Sequence, residues 1–257
     1  MPINVPSRHN RKLAEVVRRI NQDRELHQLW KCENINAVDR SGISDHGEVH
    51  VRIVANIALK LLRLLDEGGV PMSVVENYEM ETDDAEVIVV LGACFHDLGL
   101  SIHRHRHEEY SLFLAERKAR EILDSLYDVE GRVIVISEVL HAVAAHRADE
   151  TCLTTEASIL KLADALDMTK GRSRIPFETG SVNIHSVSAA AIDEVFLSAG
   201  EAKPVHIEVL MNNSSGIFQL DELLKPKLAS STISHHVEVV ARIESQTEKR
   251  LIEVYSM

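Results

Sequence analysis

Six ionisable residues of this chain fall where a helix would turn them inward. His50 lies four residues before Val54, on the stripe Val54, Ile57, Ala58, Leu61, Leu62 and Leu65, so it shares that helix's apolar face. His96 and Asp97 end the apolar run VIVVLGACF and are delivered to the interior or its rim. His107 sits four residues before Ser111, on the line Ser111, Ala115, Ala119, Ile122 and Leu126. His146 continues the face of Val135, Val139, Ala142 and Val143, and Asp164 lies in KLADALD, one turn after Leu160. Burying such groups is costly unless they are paired, hydrogen-bonded or bound to metal. Neutral imidazoles mixed with carboxylates suit a divalent transition metal (Mn, Fe, Co, Ni or Zn) with positions left open for water and substrate. Four of these groups suffice for one ion. Six suffice for two, bridged by an aspartate, and two ions so placed would clamp a phosphoryl group.

The elements that must position these residues are mostly helical. The spacing predicts helices over 11–20, 49–66, 107–126, 132–146 and 155–168, and a buried helix over 87–95. The polar stretch 31–47, with Gly42 and Gly47, reads as a loop. The character changes near Ile175–Pro176. Beyond it SVNIHSVSA, IDEVFLSAG, VHIEVLM and VEVVARIE read as strands, and IFQLDELLKPKLAS as one amphipathic helix. The expected organisation is a mainly α fold: a helical bundle over 1–175, then a small α+β domain over 176–257 of roughly β-β-β-α-β order.

Composition narrows the function classes. The 257 residues carry 28 Lys+Arg against 40 Asp+Glu, a formal net charge of −12. That balance disfavours an extended nucleic-acid footprint, and a core with 4% aromatics offers no stacking platform for bases. No apolar run approaches the ~20 residues that span a bilayer, and MPINVPSRHNRK lacks the apolar stretch of a signal peptide. Cys32, Cys94 and Cys152 are far apart and form no C-x-x-C pair, which argues against a disulfide framework or a cysteine zinc site. The expectation is a reduced, cytoplasmic protein that does not engage a membrane.

The set His50, His96-Asp97 and Asp164 resembles the H…HD…D signature of the HD-domain metal-dependent phosphohydrolases. The strings DHGEVHVRIVANIA, LGACFHDLG and ILKLADALD carry the match, over roughly residues 40–175. The resemblance implies an all-helical bundle with a central metal site, His96 and Asp97 at its catalytic heart. Some branches of the family hold two metals and add a His from each of two intervening helices. His107 and His146 resemble those additions, and His146 stands eighteen residues before Asp164, similar to the HD hydrolases of symmetrical diadenosine tetraphosphate. The implied reaction is hydrolysis of a phosphate ester or anhydride in a small nucleotide-like substrate through a metal-bound hydroxide, in a protein expected to form a homo-oligomer, perhaps a dimer. The same fold also hosts mixed-valent di-iron oxygenases and non-catalytic nucleotide sensors, and both remain alternatives. No G-Y-P string follows the metal motifs, so the cyclic-di-GMP branch that bears it is not supported.

One departure from the family pattern is informative. Many HD enzymes follow HD-x-G with Lys or Arg, whereas HDLG here is followed by Leu100. Arg104, Arg106 or Arg147 could replace that cation, as could Lys170, Arg172 or Arg174 of TKGRSR, where Arg offers a bidentate fork for phosphate. The alternative for TKGRSR is a helix end with cations favourable to its dipole. Arg104, Arg147, Lys170 and Arg172 are the expected substrate contacts. Asp167, three residues after Asp164, could orient a ligand from behind, and His46 is expected in a similar supporting place. His141 precedes His146 by five residues, which puts the two about 140° apart on one helix, so His146 is preferred as the inward residue. His103, His105 and His107 form H-x-H-x-H, read mainly as a solvated loop leading into the helix at His107.

Overall fold

A computed structural model describes residues 2–173, 184–244 and 254–256. The N-terminal part contains α1 (Arg11–Gln22), α2 (Arg24–Asn34), α3 (Glu48–Glu67), α4 (Ser73–Tyr78), α5 (Thr82–Phe95), α6 (His107–Ile122), α7 (Val129–Ala145) and α8 (Thr155–Leu166). The hub is α5. Every residue from Asp84 to Phe95 is buried, which explains why its apolar run shows no helical stripe. Helices α1, α3, α7 and α8 pack around it. On α3 Val54, Ala58, Leu61, Leu62 and Leu65 of the expected stripe are buried and Ile57 is partly buried, Val51, Ala55 and Leu59 widen the buried face, and His50 lies at its head.

The expected loop at 31–47 is corrected in its first half. α2 runs to Asn34 and continues as a π-helical turn, Ile35–Arg40. Asp23 caps α2 through the amides of Glu25 and Leu26. Its buried line is Leu26, Trp30 and Glu33. A glutamate occupies one inward position, and that broke the apolar period. Trp30 Nε1 donates to Cys94 O at 2.9 Å, anchoring α2 on the hub helix.

After α8 come a short 3-10 turn (Lys170–Ser173), α9 (Ile184–Ala190), β1 (Ile192–Ala199), β2 (Val205–Met211), α10 (Ile217–Gln219), α11 (Lys225–Ala229), β3 (Val237–Ile243) and β4 (Val254–Ser256). A π-helical stretch, Leu220–Leu224, joins α10 to α11. The strand expected in SVNIHSVSA is corrected to helix over Ile184–Ala190. There Ser188 Oγ donates back to Ile184 O at 2.7 Å, the i to i−4 bond of a helical serine. The boundary expected near residue 176 lies outside the described residues.

The sheet order is β1-β2-β3-β4. β1 and β2 are antiparallel, β2 and β3 parallel, β3 and β4 antiparallel. Alternate residues of β2 and β3 are buried, the period of a sheet with one covered face. A parallel pair needs a crossover. Here it carries α10 and α11, and it lays α11 against α8. Polar bonds fix this contact. Lys161 Nζ donates to Ser230 Oγ at 2.7 Å, Thr232 N to Ser158 Oγ at 2.9 Å, and Cys152 N to Ser230 O at 3.1 Å. None of the described helices is long and apolar enough to cross a membrane. All three cysteines are free.

Candidate metal centre

The inward residues predicted from sequence come from helix ends that meet at one point. His50 is in the first turn of α3. His96 caps the C-terminus of α5, and Asp97 follows it. His107 opens α6, His146 caps the C-terminus of α7, and Asp164 lies in the last turn of α8. Buried helix ends leave backbone carbonyls to be satisfied, and two of these histidines do so. His96 Nδ1 donates to Ala93 O at 2.9 Å and His146 Nδ1 to Val143 O at 2.6 Å. His107 Nδ1 donates to Arg104 O at 3.0 Å, and His50 Nδ1 to Asp167 Oδ2 at 2.7 Å. A carbonyl only accepts, so Nδ1 must carry the proton. Each of these rings therefore offers its Nε2 lone pair to the centre in the neutral form.

The Nε2 atoms and carboxylate oxygens form two groups that share Asp97. In the first, His50 Nε2 and His96 Nε2 are 3.2 Å apart. Asp97 Oδ2 lies 3.6 and 3.3 Å from them, and Asp164 Oδ1 lies 3.4 and 3.7 Å from them. In the second, the other oxygen of Asp97 (Oδ1) is 3.1 Å from His107 Nε2 and 3.8 Å from His146 Nε2. His50, His96 and Asp97 of the first group, and Asp97, His107 and His146 of the second, have the spacing of a metal-ligand cluster.

Gly99 sets how closely α6 approaches. A Cβ there would stand 1.9 Å from His107 O and 2.7 Å from Ser111 N. Only glycine lets the turn after Asp97 slide under the start of α6. Ser111 Oγ locks the junction, accepting from Gly99 N at 2.8 Å and donating to His96 O at 2.7 Å.

The electrostatics suit a cation. Burial opposes ionisation of Asp97, but His96 and the hydrogen bond from His107 hold it well below the usual carboxylate range. Burial likewise opposes ionisation of Asp164, but the Lys227 ammonium, His50 and His96 hold it well below. Burial disfavours charge on His96 too, yet Asp97 and Asp164 raise it well above the usual imidazole value. His146 is pushed down to about 3, first by burial and then by His96, so it remains a neutral donor. Two ionised carboxylates thus draw positive charge, as protons on the His96 and His107 rings or as a cation in their place, to the point where four imidazole Nε2 atoms converge. This donor set fits a divalent transition metal.

The supporting residues are close by. Asp167 is buried against His50, as given above. The ring of His46 lies 5.3 Å from that of His50, and its Nδ1 donates to Ser44 O at 2.7 Å. His141 is separate: its Nε2 accepts from Leu153 N at 3.0 Å. The expected substrate contacts are placed less centrally. Arg104 is exposed. Arg147 pairs with Asp149 at 2.6 Å, and Lys170 with Asp193 of β1 at 3.0 Å. The side chain of Arg172 lies outside the described residues, as does Arg174.

Two residues of the site escaped the sequence reading. Lys227 on α11 donates to Asp164 Oδ2 at 2.5 Å. It is 63 residues away in sequence, in the crossover between β2 and β3, so no spacing pointed to it. Glu33 on α2 is fully buried, and neither carboxylate oxygen has a hydrogen-bond partner among the described residues. Burial first, then the charge of Asp97, raises it well above the usual range. A third cluster, His9, Asp83 and Glu86, also has ligand-like spacing. There Glu86 is already engaged by Arg63 at 2.8 Å and Asn10 at 2.9 Å, which makes the cluster a tie between α1, α3 and α5.

Comparison with known proteins agrees with this geometry. The HD domain matches residues 47–169, a span that holds all six converging residues. The uncharacterized protein MJ1020 of Methanocaldococcus jannaschii is 42% identical over 225 residues, covering 88% of this chain and 87% of that protein. No solved structure matches.

Proposed function

Because the chain belongs to the HD-domain family, whose members are metal-dependent hydrolases as a class, we propose that it hydrolyses a phosphate ester or anhydride of a small, nucleotide-like substrate. The observation that carries this reading is the division of Asp97 between two donor groups, Oδ2 toward His50 and His96, Oδ1 toward His107 and His146. His50, His96, Asp97 and Asp164 would hold one divalent ion, and Asp97, His107 and His146 a second. Ions held there supply Lewis acidity to a phosphoryl group and acidify water at neutral pH.

The chain's own residues prepare the rest. The four Nδ1 protons are committed to carbonyl and carboxylate oxygens, so the rings cannot swing or change tautomer freely. Asp97 stays ionised throughout the neutral range and does not compete for a proton. The opening is set by exposure: the side chains of His107, Asp164 and Lys227 are 21%, 17% and 16% exposed, whereas His50, His96 and Asp97 are 5% or less. Substrate therefore enters past His107 and Lys227, with the His50–Asp167 pair forming the closed floor.

The test is a phosphate-release screen over nucleoside phosphates, dinucleotides and cyclic dinucleotides, with protein loaded with Mn²⁺, Fe²⁺, Co²⁺ or Zn²⁺. Release from at least one substrate, abolished in Asp97→Ala, is expected. Metal-replete protein that releases nothing, or that consumes oxygen with an organic substrate, would refute the reading.

A further inference from the structure

The geometry points to Lys227 as the residue that grips the substrate's phosphoryl oxygens, so that the C-terminal unit builds one wall of the active site. This rests on the phosphohydrolase reading and adds to it a residue and a role for residues beyond the bundle.

Four observations support it. First, among the described residues Lys227 is the Lys or Arg whose side chain hydrogen-bonds to the converging set, through Asp164 Oδ2. The position after HDLG is filled by buried Leu100. Lys170 and Arg147 are turned to Asp193 and Asp149. Lys161, fully buried on α8, is engaged by Glu150 O and Ser230 Oγ.

Second, the placement is at the entrance. The side chains of Lys227 and Asp164 are both partly exposed, next to donors that are not. Third, the charge partition leaves the ammonium available. Asp164 turns Oδ1 toward His50 and His96 and Oδ2 toward Lys227. An ammonium has three donors; one serves Asp164, and two remain for a ligand without breaking the pair. Fourth, the position is fixed by the fold. Ser230 and Thr232, just beyond α11, are bonded to the Cys152 amide, Lys161 and Ser158. The lysine thus sits on a braced crossover rather than on a free arm, as pre-organised phosphate recognition requires.

The experiment compares wild type, Lys227→Gln, Lys227→Met and Lys227→Arg, each loaded with Mn²⁺. Metal content is read by elemental analysis and orthophosphate affinity by titration calorimetry. Loss of one charge-assisted contact should weaken orthophosphate about 10–100-fold in the Gln and Met variants, with Mn²⁺ content unchanged and Arg within a few-fold of wild type. If the Gln and Met variants lose Mn²⁺, and saturating Mn²⁺ restores phosphate affinity, Lys227 only positions Asp164 and the inference is overturned. If all variants bind orthophosphate as wild type does, it is overturned while the hydrolase reading stands. If wild type neither binds orthophosphate nor releases it from any substrate, both fall together.

Discussion

His50 and Asp167 are 117 residues apart in sequence, yet Nδ1 and Oδ2 meet at 2.7 Å with both side chains buried. The carboxylate holds the imidazole proton on the far side from the donor cluster. It also fixes the angle at which α3 presents His50. Asp167→Ala should therefore leave the ligand set intact but loosen it. We expect about 10–100-fold weaker metal binding and a partial loss of phosphohydrolase activity. Asp97→Ala, which removes the shared carboxylate, should abolish activity. Metal titration of both variants checks this; equal and complete loss in both would mean that Asp167 itself contacts the ion.

Gly99 offers a test of how the second donor group is assembled. A methyl group there meets the His107 carbonyl at 1.9 Å and the Ser111 amide at 2.7 Å. Both are backbone atoms that cannot rotate away. Gly99→Ala must push α6 outward, at a cost of about 1–3 kcal/mol for a forced backbone shift, and carry His107 from Asp97. The expected result is a lower unfolding midpoint together with loss of metal at the His107–His146 group. His50 and His96, held on α3 and α5, should keep theirs. Unchanged metal content and midpoint in this variant would show that the junction is softer than its contacts imply.

The legible part of this molecule is the part written in local periodicity. His50, His107 and Ser111 were found because apolar neighbours at helical spacing fixed which way they face. The convergence of His96 and Asp97 with Asp164 was legible from the family resemblance. The helix at Arg24–Asn34 was missed because its inward line contains a glutamate, Glu33, in place of an apolar residue. The helix at Ile184–Ala190 was missed because alternating serines imitate a strand, while Ser188 bonds to the carbonyl one turn back. Lys227 was illegible for a different reason. Its partner is set by the β2-to-β3 crossover, a long-range contact to which no local pattern corresponds.

The α1–α3–α5 tie predicts a pH dependence away from the metal centre. Burial by itself would raise Glu86, but Arg63, Asn10 and His9 more than reverse this and lower it below the ordinary glutamate value of 4.5. A lowered folded-state value means that the tie contributes stability above pH 4.5 and loses it as pH falls through the lower folded value. Arg63→Met should cost about 1–3 kcal/mol at pH 7, and the gap between variant and wild type should narrow below pH 4. Urea unfolding at pH 7 and pH 3.5 measures it. A gap of the same size at both values would assign the loss to the packing of the Arg63 stem instead.

The number of metals follows from Asp97. Its Oδ2 belongs with His50, His96 and Asp164, its Oδ1 with His107 and His146. His146 is buried and held neutral, and among the described residues its ring hydrogen-bonds through Nδ1, to Val143 O. Nε2 therefore faces the second group with a lone pair. If His146 were merely a packed core residue, His146→Ala would cost stability and leave metal content as it was. With His146 as a ligand, the wild type should hold about two equivalents and His146→Ala about one, with most of the activity gone. His141 supplies the control, since it lies in the same helix, half-buried, with its Nε2 already accepting from Leu153 N. His141→Ala should keep both equivalents and the activity. Elemental analysis of the three proteins, prepared without chelator, decides the matter: two equivalents retained in His146→Ala would remove His146 from the ligand set and return Asp97 to a single ion.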